Sequence, residues 1–252
     1  MTSLRERLRT GVAAGVGLTF ATPPLVELCG RVGFHWALID CEHGAFSPES
    51  MEHAFSAADA VGLSLMVRPS SDRPESILAA LDRGAAGVQV PHVATAAQAA
   101  AIVRAVKYEP LGTRGLGTSV RAAGYGIDLD LPAYLANANR ESIVCVQIED
   151  REGLANVAEI AAVPGVDVVF VGPMDLSQAL GYPGELERPD FRRQVERAFD
   201  AAHAAGKLTG TSGSTAWVRY GVELGARYVY TSLGGVLLPG ARAFIAGTQT
   251  RS

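Results

Sequence analysis

The sequence predicts a single (β/α)8 barrel spanning residues 1–252, on three observations. Eight short apolar, β-branched runs recur along the 252 residues, and longer alanine-rich stretches with helical spacing separate them. The total length suits eight strand–helix units, about 250 residues in such a barrel. No Gly-x-Gly-x-x-Gly follows the first run, which disfavours an open doubly wound sheet.

The predicted strands are VGLTF (16–20), WALID (36–40), LSLMVR (63–68), GVQVP (87–91), IVCVQIE (143–149), DVVFVG (167–172), KLTGT (207–211) and RYVYTS (227–232). Between them, PESMEHAFSAADAVG, PESILAALDRG, TAAQAAAIVRAV, REGLANVAEIAAV, DFRRQVERAFDAAHAAG and TAWVRYGVELGA read as helices. Gly62, Gly84, Gly206 and Gly225 fall where a left-handed residue ends a helix. The longest connection, from about Tyr108 to Ser142, carries Arg114, Arg121 and Tyr125 among glycines and reads either as a lid holding the second substrate or a distal anionic group, or as a simple excursion.

Composition narrows the partners. A net charge of −4 with 19% charged residues gives no basic face for a row of phosphates, so nucleic acid is not expected. No apolar run reaches the roughly 20 residues a membrane span needs. MTSLRERLRTG followed by VAAGVGLTFA has the outline of a secretory leader, but Gly15 and Gly17 interrupt the apolar stretch and it serves better as a first strand. Cys29, Cys41 and Cys145 cannot all pair and show no CxxC spacing, which fits a reducing cytoplasm.

In a barrel of this kind, catalytic side chains gather where strands end. Strand two ends in Asp40, Glu42 and His43, strand three in Arg68, strand five in Gln147 and Glu149, and strand six runs through Gly172 and Pro173 to Asp175. A single charged strand end is ordinarily just solvated, so the weight lies in several together. Alternation along strand five puts Cys145, Gln147 and Glu149 on one face and Val144, Val146 and Ile148 on the other. Glu149 and Asp175, on neighbouring strands, then lie close enough to share one hard cation, Mg²⁺ or Mn²⁺, with Co²⁺ as a third candidate. The bland alternative is that the two acids pair with arginines or cap helices.

A cation with open positions beside Arg68 suits the two oxygens of a 2-oxo acid, and the free amides near Met174 and Asp175 favour its carboxylate. Negative charge developing on the keto oxygen is then stabilised, and His43 moves the proton. Spacing favours Asp40 or Glu42 as the acid that tunes His43. The only lysines, Lys107 and Lys207, fall away from the strand ends, so a Schiff-base route is disfavoured.

These residues resemble the metal-dependent, class II pyruvate aldolases of the aldolase/citrate lyase family, typified by 4-hydroxy-2-oxoheptane-1,7-dioate aldolase. The blocks carrying the resemblance are LIDCEHGAFSPE, VRPSSD, LDRGAAGVQVPHV, YEPLGTRGLG, VQIEDREGLAN, GVDVVFVGPMDLSQALGYPG and GARYVYTSLGGVLL, in order over nearly the whole chain. The resemblance implies reversible cleavage of 4-hydroxy-2-oxo acids to pyruvate and an aldehyde. It assigns His43 as base, Arg68 as stabiliser of the enolate, Glu149 and Asp175 as metal ligands, and Gln147 with the Met174 and Asp175 backbone as substrate contacts. It also implies that Asp82 raises the basicity of the histidine, and that the chain forms a hexamer with its last helix packed on a neighbour. Cys41 stands where the family commonly has glycine, Met174 where it often has a small residue, and His92 has no expected role. Acyl-CoA lyase or phosphoenolpyruvate chemistry on the same barrel is the alternative, and a non-catalytic oxo-acid-binding barrel is a third reading.

Overall fold

Eight parallel strands pair in chain order, and β8 returns to pair with β1, closing the barrel. The computed structural model describes residues 2–249. The first half runs α1 (Leu4–Thr10), β1 (Ala13–Leu18), α2 (Pro23–Arg31), β2 (Trp36–Asp40), α3 (Pro48–Val61), β3 (Ser64–Arg68), α4 (Pro74–Asp82), β4 (Gly87–Val90) and α5 (Ala96–Val106). A 3-10 turn (Arg121–Gly126) and α6 (Leu131–Glu141) then precede β5 (Ile143–Ile148), α7 (Arg151–Ala155), α8 (Val157–Ala162), β6 (Val168–Val171) and α9 (Pro173–Leu180). The chain continues through α10 (Pro189–Ala204), β7 (Leu208–Ser212), α11 (Thr215–Glu223), β8 (Tyr228–Ser232) and α12 (Leu233–Thr248).

Strand alternation divides the core in two. Trp36, Leu38, Ile143, Cys145, Phe170 and Tyr228 fill the barrel interior, while Ala37, Ile39, Val144, Val146 and Ile148 pack under the helices. Leu4 and Leu8 of α1 join the interior cluster. Trp36 stacks on Tyr228 at 4.1 Å between centroids, and its indole N–H donates to the Ala13 carbonyl. Gly15 makes room for that ring, since a Cβ there would lie 2.4 Å from it. Strand β1 begins at Ala13, where it pairs with Tyr228 of β8, and not at the expected Val16. The expected end at Phe20 fails as well, because that ring is exposed.

Gly62, Gly84, Gly206 and Gly225 all have positive φ, as expected of helix stops. The helix expected over residues 151–163 breaks at Asn156, whose side-chain amide donates to the Ala94 carbonyl. Lys107 and Lys207 each donate to two backbone carbonyls, before the starts of β5 and β6 respectively, away from the strand ends.

The long connection is not a lid in the single chain. It carries α6, and its Arg114 and Arg121 pair with Asp82 of α4 and Asp59 of α3 on the outer layer. None of its residues lines the cavity at the strand ends.

Candidate active site

A cavity of about 970 Å³ opens where the strands end, lined by His43, Arg68, Gln147, Gly172, Met174 and Asp175 among others. Asp40 and Arg68 face each other across paired positions on β2 and β3. The Arg68 Nε and Nη2 groups donate to the two Asp40 oxygens at 3.0 and 2.7 Å, and Glu42 lies 3.2 Å from Nε. Burial pushes the Asp40 carboxyl up, but the bonds from Arg68 and from the Glu42 and His43 backbone amides outweigh it and hold the group below its ordinary range. The Arg68 guanidinium is thereby fixed in orientation, with Nη1 free of protein acceptors among the described residues.

Asp40 therefore acts on Arg68 and on the backbone of the His43 turn, and makes no bond to the imidazole. Of the acids weighed for His43, Glu42 lies nearest, at 3.7 Å from Nε2. Asp82 makes no contact with His43 among the described residues. It ends α4, the helix that leads back toward the start of β4, and accepts from Arg114 in a separate hollow of about 510 Å³.

On the other side, Gln147 and Glu149 point the way alternation requires. Gln89 on β4 donates to the Gln147 carbonyl oxygen at 2.7 Å, and Gln147 donates in turn to Glu149 Oε2. The Glu149 side chain is 1% exposed. Burial raises its pKa, and the charge of Asp175 adds to the rise, against bonds from His92 and Gln147 that lower it. Gly172 crosses close to this pair, and a Cβ there would meet Glu149 Oε2 at 2.8 Å.

Two carboxylates on adjoining strand ends at the edge of this cavity fit a hard divalent cation, which removes their mutual repulsion. No three His, Cys, Asp or Glu side chains among the described residues gather as a closed metal cage. The donor set thus suits an ion that keeps most of its positions for water and substrate oxygens.

Sequence reasoning missed three contributors. His92 lies between Glu42 and Glu149, Gln89 orients Gln147, and Ser212, Ser214, Thr215, Thr231 and Ser232 give the cavity a hydroxyl-rich wall. The rule that flagged strands two, three, five and six applies equally to β4, to β7, whose end TSGST spans, and to β8, whose end TSL spans.

Fold and site together define a (β/α)8 barrel with ionisable side chains gathered on the strand-end rim. The chain belongs to the HpcH/HpaI aldolase/citrate lyase family, whose model matches residues 15–216. It is 37% identical over 246 residues to a hydroxypyruvate/pyruvate aldolase of Pseudomonas aeruginosa, covering 96% of this chain and 91% of that one. A 2-dehydro-3,6-dideoxy-6-sulfogluconate aldolase of Pseudomonas putida is 39% identical over 208 residues, with 82% and 80% coverage. A crystal structure of an HpcH/HpaI aldolase/citrate lyase family protein from Burkholderia cenocepacia superposes with a TM-score of 0.92 at 32% identity, covering 99% and 100% of the two chains.

Proposed function

We propose that the protein catalyses reversible aldol cleavage of a 4-hydroxy-2-oxo acid to pyruvate, or a related 2-oxo acid, and an aldehyde. The observation that carries this reading is that Asp175 lines the cavity with His43 and Arg68, three residues beyond Gly172, against which the Glu149 carboxylate lies. Held by these two carboxylates, a Mg²⁺ or Mn²⁺ ion would supply Lewis-acid stabilisation to the keto oxygen and carboxylate of the oxo acid.

Arg68, held rigid by Asp40, offers its free Nη1 to the same developing negative charge. Gln147 and the backbone amides at Met174 and Asp175 orient the oxo acid. In the cleavage direction His43 accepts the proton of the C4 hydroxyl, the C3–C4 bond breaks, and its electron pair passes into the enolate of the oxo acid. Protonation at C3 then completes the product. His43 is 62% exposed on its side chain, which leaves it open to the substrate.

The hydroxyl-rich wall from Ser212 to Ser232 suits a polyhydroxylated aldehyde, and the relatives named for deoxy sugar acids favour that class. Met174 narrows the same side. For Asp82 to serve a histidine, the pair must form between subunits, because within one chain it is committed to Arg114. Helix α12 exposes Val236, Leu237, Leu238, Phe244 and Ile245, an apolar face that supports an oligomer, for which a hexamer with α12 lying on a neighbour is the reading. Three unpaired cysteines and the absence of a helix long and apolar enough to cross a membrane, among the described residues, support a cytoplasmic setting.

The test is a cleavage assay on a panel of 2-keto-3-deoxy sugar acids with Mg²⁺, Mn²⁺ and Co²⁺ supplied separately. Metal-dependent release of pyruvate is expected for at least one substrate. Turnover of acyl-CoA thioesters in its place would overturn the reading.

A further inference from the structure

The β4 strand end supplies a side chain that neither the rim pattern nor the family resemblance assigns. His92 follows β4 with φ +55, a left-handed conformation that residues other than glycine seldom adopt. That backbone turn aims the His92 N–H at Glu149 Oε1, at 2.7 Å. Its ring lies between two carboxylates, with Nδ1 3.0 Å from Glu149 Oε1 and Nε2 3.0 Å from Glu42 Oε1. Glu42 in turn lies 3.2 Å from Arg68 Nε and 3.7 Å from His43 Nε2.

We propose that His92 is a positioning residue that locks the Glu149 carboxylate for cation binding and ties it, through Glu42, to the Arg68 and His43 side of the site. This deepens the metal-dependent aldolase reading and rests on it. The geometry explains why a strained backbone persists here. Glu149 Oε1 is taken by His92, and Gln147 donates to Oε2, so the carboxylate is held from both sides before any ion arrives. A carboxylate free to rotate would have to be ordered at the moment of binding. Outer partners of metal ligands characteristically account for about 10- to 100-fold in metal affinity or activity.

Two substitutions separate this role from mere support of the fold. In His92→Asn the side-chain amide nitrogen falls near the position of Nδ1, and asparagine tolerates the left-handed backbone. In His92→Gln the amide nitrogen falls near Nε2, keeping the Glu42 side and losing the Glu149 side. Mn²⁺ binding to the metal-stripped full chain is measured by electron paramagnetic resonance, with thermal unfolding as the check on folding.

His92→Asn is expected to bind Mn²⁺ within about threefold of the unaltered protein, whereas His92→Gln weakens it by about 10- to 100-fold. Equal affinities for both variants and the unaltered protein overturn this inference alone. Failure of the unaltered protein to bind Mn²⁺, with pyruvate or oxalate present, removes the metal-dependent reading and this inference with it. If the glutamine variant does not fold, His92→Gly, which relaxes the backbone and keeps the N–H, must show the same loss.

Discussion

Asp40 and Arg68 form the most enclosed ion pair of the site, with side chains 6% and 11% exposed. Neutralising Asp40 leaves Arg68 only Glu42 as a charged partner, so Asp40→Asn is expected to cost about 1.5–3 kcal/mol of stability by denaturant unfolding near neutral pH. Because the folded carboxyl titrates below its unfolded range, its stabilisation is present above about pH 4 and is lost as pH falls through the folded value. The stability gap between the unaltered protein and Asp40→Asn should therefore narrow below about pH 4, and a gap constant down to pH 2 would contradict the assignment. For the exposed His43, alanine should leave unfolding unchanged while lowering the cleavage rate by about 10²- to 10⁴-fold. Asp40, Arg68, Gln147, Glu149 and Asp175 were legible in the sequence because strand period and strand-end position identify them. The destination of Asp40 was not, since spacing places an acid near a histidine and near an arginine without choosing between them. His92 was given no role because nothing in VPHV announces a positive φ.

Among the elements, β5 and β6 carry the finest tolerance. Gly172→Ala would drive a Cβ into Glu149 Oε2 at 2.8 Å and Gln147 Nε2 at 3.1 Å. Its effect is expected on Mn²⁺ affinity, measured by titration, with the unfolding temperature nearly unchanged; a normal affinity would mean that Glu149 is free to move aside. At the other end of the barrel, Trp36→Ala empties a ring site closed by Tyr228 and β1, at a cost of about 3–5 kcal/mol in chemical denaturation. The strands were readable because their inward and outward faces alternate, as in WALID and IVCVQI. Element β1 was misplaced because Ala13, Ala14 and Gly15 are small and so resemble no strand, Gly15 being small to make room for Trp36. Helix α6 buries none of its residues and thus offers no apolar stripe to find.

For the whole molecule, α12 is the part a single chain leaves unexplained. Leu237 and Phe244 are 64% and 73% exposed on a helix with no buried residue. Replacing both with Asp is expected to reduce the sedimenting mass toward that of one chain, and an unchanged mass would place the interface elsewhere. If His43 and Asp82 meet between subunits, mixing inactive His43→Ala and Asp82→Ala chains through partial denaturation and reassembly should recover activity, since some interfaces then carry both residues. No recovery would remove Asp82 from the proton path. The barrel was legible as eight repeats, but subunit contacts leave no periodic mark on a sequence. Most direct of all is the exchange of pyruvate methyl protons with deuterated water, followed by proton nuclear magnetic resonance. With Mn²⁺-free protein, Mg²⁺ addition should start exchange, and Glu149→Gln and Asp175→Asn should each slow it by about a hundredfold or more. Exchange that needs no divalent cation, or that proceeds undiminished in both variants, would contradict a shared cation at Glu149 and Asp175.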